Sequence, residues 1–194
     1  MSYLRGGNLD ETNYPLFADV KRAFGFVPNF YRAQTERPDL IEAQAQLVNE
    51  LLIKESGLAR QLKEYIFLVC SAANLSTYCV TAHCEIVRIL GIQGPEPEQI
   101  AIDHTSTNLP LSVKALLNFA AKLNSTPTKI AQTDVDTLRT FGYTEEQVLE
   151  AVLLVGLAKF ANYVSFGLGT VPDFDSSKVR FPSKESDAVV SSVL

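Results

Sequence analysis

Between Leu58 and Leu90 two helical patterns follow one another, separated by a short cluster of cap-forming residues, and the first pattern is apolar on two sides. Leu58, Leu62, Tyr65, Ile66 and Val69 recur at the spacing of a single helical stripe, while Phe67 and Leu68 fall opposite. A helix with two apolar faces must be buried between two surfaces. Asn74 to Thr77 interrupts the pattern, and a second helix is predicted from Thr77 to Leu90, closed by Gly91. A buried helix hairpin at the centre of the chain is the first expectation.

The periodicity elsewhere is helical too. Helices are predicted over 13–24, 38–53, 96–103, 110–124 and 133–141, with Pro28 marking a turn after Gly25. Thr144-Glu145-Glu146-Gln147 has the form of a capping box and opens a long helix reaching about Phe166. Leu149, Leu153, Gly156, Phe160 and Tyr163 share one face of it, and its middle is apolar all round, which predicts burial on every side. No set of alternating strands is present. The expected fold is an all-α, single-domain helical bundle over 1–181, with its core at about 58–92, C-terminal helices over 110–168 and a polar, disordered tail over 182–194.

With 46% hydrophobic and 20% charged residues in 194, the chain has the apolar content for a sizeable core. Its net charge of -5, with no run of Lys or Arg, disfavours nucleic acid. The longest unbroken apolar stretch, Ala151 to Ala158, is short of a membrane span, and no apolar leader opens the chain. A soluble, cytoplasmic protein is expected. Three cysteines, Cys70, Cys79 and Cys84, form an odd local cluster rather than a disulfide framework.

Cys79 and His83 are one helical turn apart, so they are neighbours on one face. Ser76 or Thr77 caps that helix, placing Cys79 in its first turn, where unpaired N–H groups and the helix dipole favour a negative group. A nearby imidazolium acts in the same direction, which predicts a thiol with a lowered pKa. If the chain turns at Asn74 to Ser76, Glu64 and His83 differ in height by only about 4–5 Å. A Glu64–His83–Cys79 relay is then geometrically allowed. Plainer readings stand beside it: an inert buried Cys79, a structural His83, and a Glu64 paired with Arg60 or with another chain. Cys84 lies about 140° round the helix from Cys79, a poor disulfide partner. Cys70, Cys79, His83 and Cys84 lack a compact zinc spacing, so no metal and no cofactor is expected. His104 is expected to be solvated.

Lys63-Glu64 followed by Ser71-Ala72-Ala73-Asn74-Leu75-Ser76-Thr77-Tyr78-Cys79-Val80-Thr81-Ala82-His83 resembles the core motif of alkylhydroperoxidase D-like proteins, within the carboxymuconolactone decarboxylase superfamily. Phe24 to Phe30 and Arg37 to Leu40 resemble its peroxidase-related branch, and the likeness covers roughly residues 15–170. The resemblance implies the orthogonal helical bundle of that type, with the motif on the helix-turn-helix. It makes Cys79 the peroxide-attacking thiol, His83 and Glu64 its partners and Tyr78 the usual aromatic of the motif. The first motif cysteine, which would resolve the oxidised thiol, is Ser76 here. A single-thiol cycle is the expectation, with an external thiol reductant and with Cys70 as an alternative resolver.

Three functions follow as expectations. The leading one is a cysteine-dependent peroxidase-like oxidoreductase acting on hydrogen or organic peroxides. The second is an acid/base decarboxylase or isomerase of a small lactone acid, using His83 and Glu64 without the thiol. The third is a non-catalytic helical oligomer with a decayed site. The apolar faces of the 58–73 and 149–160 helices, and the family likeness, imply a homo-oligomer, whether dimer, trimer or hexamer.

Overall fold

The computed structural model describes residues 2–4, 17, 18, 20, 21 and 25–181. The expected 182–194 tail and most of the expected 13–24 helix lie outside these residues. Among them the chain is helical and has no strand. The helices are α1 (Asn29–Arg32), α2 (Pro38–Val48), α3 (Arg60–Ala73), α4 (Thr77–Ile89), α5 (Pro97–Asp103), α6 (Leu111–Ser125), α7 (Gln132–Thr140) and α8 (Glu145–Leu168). The segment expected as one helix over 38–53 is α2 followed by a π turn over Asn49–Ile53.

The centre of the bundle is α3. It packs against α4, α5, α6 and α8, and every residue from Lys63 to Ala72 is buried, as two apolar faces require. The hairpin that follows is closed by backbone geometry. Leu75 N–H donates to Ala72 O and Ser76 N–H to Ser71 O, the pattern of a Schellman turn, with Leu75 in the left-handed region at φ 61°. A leucine there carries strain that glycine would not. The tight turn delivers Ser76 directly to the start of α4, where its hydroxyl accepts from Cys79 N–H at 3.4 Å.

A polar brace fixes this end of the hairpin to the rest of the bundle. Asn162 of α8, fully buried, donates from Nδ2 to Ser71 Oγ at 3.0 Å. Its Oδ1 accepts from Asn74 Nδ2 at 2.8 Å, and Asn74 exchanges two further bonds with Asn124 of α6. Three helices are thereby joined through side-chain amides in a place where an unmet polar group is costly.

The Thr144 capping box forms as expected, with Thr144 and Gln147 exchanging bonds, and Gly169 ends α8 in the left-handed conformation at φ 59°. The expectation of all-round burial for α8 is overturned. Ala151, Leu154, Val155 and Ala158 pack into the core, but Leu149, Leu153, Phe160 and Tyr163 lie exposed on the described chain, Tyr163 at 63%. The apolar count that suggested burial describes a helix with one face on the core and the other open. By length and hydropathy α8 would suffice to cross a bilayer, yet its inner face is a wall of the core.

Replacing Asn162 with alanine removes one partner from the Asn74 amide and one from the Ser71 hydroxyl. Urea unfolding should show a loss of about 1–3 kcal/mol relative to the parent chain, whereas an unchanged midpoint would mean the brace carries no stability.

Candidate active site

The hairpin sets the heights of Glu64 on α3 and His83 on α4 so that they meet. Glu64 Oε2 lies 2.6 Å from His83 Nδ1, and Glu64 Oε1 accepts from Arg60 Nε at 2.6 Å. The carboxylate is completely buried. Burial opposes its charge, but His83 and Arg60 outweigh it, and the carboxyl group is held below the ordinary glutamate range. An ionised carboxylate only accepts, so Nδ1 carries the proton and Nε2 is left as the working nitrogen. Phe67 stacks on the imidazole with ring centroids 4.3 Å apart, fixing its plane.

Two of the readings left open for Glu64 therefore hold at once: it pairs with His83 and with Arg60. The second link of the expected relay is different. Among the described residues, the hydrogen-bond partner of Cys79 Sγ is Ser165 Oγ, at 3.8 Å, on α8. Ser165 directs its own proton to Ala161 O at 2.8 Å, so Oγ presents a lone pair and receives the thiol proton. The expected lowering of the thiol pKa is not found. Burial pushes Cys79 up, and polar neighbours Ser76, Asn162, Ser165 and Ser71 only partly offset it. The helix start that was expected to favour a thiolate is present, but it lies in a desolvated setting that outweighs it.

Cys79 and His83 nevertheless line one cavity of about 130 Å³, together with Arg60, Phe67 and Tyr78. The π turn supplies Leu52 and Ile53 to its wall and α8 supplies Leu157 and Phe160, so the lining is largely apolar. Gln44 also lines it, and among the described residues its buried Oε1 has no hydrogen-bond partner. Tyr78 ties the site to α1 and to the segment after α8: its hydroxyl donates to Asp173 Oδ2 at 2.7 Å and accepts from Phe30 N–H at 3.0 Å. Asp173 also accepts from Asn29 N–H at 3.0 Å, which joins the three elements.

The remaining candidates fall elsewhere. Cys70 is buried against α6, with Sγ 3.9 Å from Ala120 O, and burial pushes it up to about 12. Cys84 is pushed up to about 12 as well, by burial and then by the neighbouring Glu98. All three cysteines are free thiols. His104 is bonded through Nε2 to Asn118 Oδ1 at 2.8 Å. Ser165, Gln44 and Asp173 were missed, because each comes to the site from a distant element with no local pattern around it.

No protein-family model and no curated protein matches the sequence. Solved structures do match. An uncharacterized peroxidase-related protein with an alkylhydroperoxidase core from Ralstonia eutropha JMP134 aligns with a TM-score of 0.83 at 26% identity, over 90% of this chain and 94% of that one. An uncharacterized peroxidase-related protein from Silicibacter sp. TM1040 aligns with a TM-score of 0.83 at 23% identity, over 92% and 95%. The debrominase Bmp8, solved as a cysteine-to-alanine variant in complex with 2,3,4-tribromopyrrole, shares the fold at a TM-score of 0.72 and 20% identity, over 88% and 93%.

A carboxyl group with a depressed folded pKa stabilises the chain fully above its unfolded pKa, and that contribution is lost as the pH falls through the folded value. Glu64→Gln should therefore unfold about 1–3 kcal/mol more easily at neutral pH, and the gap should narrow once the pH falls below about 4. Denaturant titrations at several pH values check this, and a gap independent of pH would contradict it.

Proposed function

Because the chain belongs to the alkylhydroperoxidase D-like proteins of the carboxymuconolactone decarboxylase superfamily, we propose that it is a peroxidase-like oxidoreductase reducing hydrogen or organic peroxides through Cys79. The observation that carries this reading is the shared cavity: a thiol and a carboxylate-oriented imidazole line one small apolar space. Fold alone does not select the reaction, since a debrominase shares it.

In the resting site Cys79 is a thiol, kept in that form by burial, with Ser165 Oγ as its hydrogen-bond partner. His83 Nε2 takes the thiol proton as the peroxide enters, and Glu64 supports the imidazolium that forms. Turning the Ser165 hydroxyl from Ala161 O towards sulfur would make it a donor to the thiolate. Sulfur then attacks the terminal oxygen of the hydroperoxide, the O–O bond breaks, and His83 returns the proton to the leaving alkoxide. The products are an alcohol and a Cys79 sulfenic acid. With Ser76 in place of a resolving cysteine, an external thiol condenses with the sulfenic acid, releasing water. A second thiol then exchanges with that mixed disulfide and restores Cys79. A cytoplasmic location, where small thiols are plentiful, fits this cycle. Gln44 Oε1 is available to accept from the hydroperoxide O–H.

A second reading has its own support. The Glu64–His83 pair is formed while the thiol is directed at Ser165. Acid/base chemistry at His83 without the thiol, on a small lactone acid, fits that division.

We further propose that a second copy covers the open face of α8. Leu149, Leu153 and Tyr163 are exposed there, and Leu153 and Phe160 line an apolar trough with Leu40 and Leu47 of α2. Sedimentation at micromolar concentration should find a dimer or larger. Leu153→Arg should shift it towards monomer with little loss of helicity, and a parent chain that sediments as a monomer would refute the assembly.

Steady-state peroxide reduction with an excess of small thiol tests the catalytic reading. Cys79→Ser should lose activity by at least about two orders of magnitude, and His83→Ala by about 10²- to 10⁴-fold. Cys70→Ser and Cys84→Ser should stay near the parent rate. Peroxidase activity that survives Cys79→Ser would remove the thiol mechanism. Lactone turnover lost in His83→Ala but kept in Cys79→Ser would select the acid/base reading.

A further inference from the structure

We propose that the cavity selects an organic hydroperoxide bearing a carboxylate, and that Arg60 is the residue that selects it; the reaction assigned to this ligand rests on the peroxidase reading, whereas its recognition does not. Arg60 opens α3 and its side chain lines the cavity. Among the described residues only Nε has a partner, donating to Glu64 Oε1 at 2.6 Å. Among the described residues the two terminal nitrogens of the guanidinium have no partner. With the side chain 20% exposed, that fork of N–H groups sits at the solvent-accessible rim of the cavity and, among the described residues, faces no acceptor of its own.

Ala59 provides no side-chain cap for α3 and its first turn holds no acidic residue, while the Glu150 carboxylate is engaged by Gly57 and Leu58 N–H just before it. Glu64 is the one carboxylate on Arg60, and it divides its two oxygens between Arg60 and His83. A planar fork with free N–H groups matches a carboxylate in a bidentate arrangement, which ammonium or amide groups do not reproduce.

The rest of the cavity sets the body of the ligand. Phe30, Phe67, Leu52, Ile53, Leu157 and Phe160 give apolar walls, and the volume of about 130 Å³ is close to that of a dry cavity of about 150 Å³ that accepts benzene. Space of that size takes one ring or a short branched chain. In the hairpin, the Glu64 and His83 side chains meet. Arg60 precedes Glu64 by one turn and Cys79 precedes His83 by one turn on the antiparallel helix. The Arg60 and Cys79 backbones are thus separated by at least about 12 Å along the axis. Both residues line the cavity, and on that spacing the guanidinium and the sulfur are proposed to serve its two ends. A molecule with a carboxylate at one end and a hydroperoxide at the other spans the two.

The obvious alternative is that Arg60 only balances the charge of Glu64, in which case acid and neutral substrates are treated alike. The para-carboxylate of cumene hydroperoxide and its methyl ester separate the two. In the unaltered protein the acid should show a kcat/KM about ten- to a hundredfold higher than the ester, mainly through KM. In Arg60→Gln the two should come within about threefold of each other. Equal kcat/KM values for acid and ester in the unaltered protein would overturn the proposal, and that comparison does not depend on the variant folding. A preference that persists in Arg60→Gln would assign the selection to another group and overturn the role of Arg60.

Calorimetry with para-isopropylbenzoate and its methyl ester, neither of which reacts, gives a readout independent of chemistry. Tighter binding of the acid, lost in Arg60→Gln, supports the proposal even where no peroxide is consumed, and then only the peroxidase reading fails. Equal affinity for both compounds in the unaltered protein overturns it.

Discussion

A fully buried carboxylate with a partner on each oxygen organises this protein. Glu64 sits on the most enclosed helix of the bundle, where an uncompensated charge would cost several kcal/mol. Arg60 and His83 meet that cost from two helices, so the ion pair and the helix hairpin depend on each other. Neighbouring Lys63 faces a similar problem and solves it with neutral acceptors: its buried Nζ donates to Lys54 O at 2.9 Å and Ser56 Oγ at 2.6 Å. One charge of this adjacent pair orients the imidazole. The other anchors the segment that follows the π turn, and that turn contributes Leu52 and Ile53 to the cavity wall.

The thiol is placed under different rules from the imidazole. Its helix start and its proximity to a histidine are features that elsewhere activate cysteine, yet the site is drier than those features assume. The result is a sulfur that burial keeps protonated, with Ser165 as its hydrogen-bond partner. Sulfur and imidazole line the same cavity, so a ligand entering it would meet both.

Local signals in the sequence were reliable where the governing physics is local. The helix hairpin, the Ser76 cap, the Thr144 capping box and the level meeting of Glu64 with His83 all follow from periodicity, capping chemistry and a 1.5 Å rise. Misjudgements arose where burial decides. The apolar girth of α8 was read as complete enclosure, but periodicity cannot say whether a face meets the same chain or a different one. Neighbours along the helix favour a lowered thiol pKa, while the deciding influence is burial, which no local pattern announces. Asp173, which bonds both Tyr78 and the first residue of α1, has no sequence signature, because its partners come together only in the finished fold.

The central claim is that Cys79 alone carries the oxidative chemistry, and the most direct measurement is the mass of each cysteine-containing peptide after one equivalent of hydroperoxide in the presence of a sulfenic-acid trap. The account predicts trapped sulfenic acid on Cys79, with Cys70 and Cys84 unmodified and no bridge between any two of them. An unmodified Cys79 beside consumed peroxide, or a Cys70–Cys79 disulfide as the main product, would contradict it.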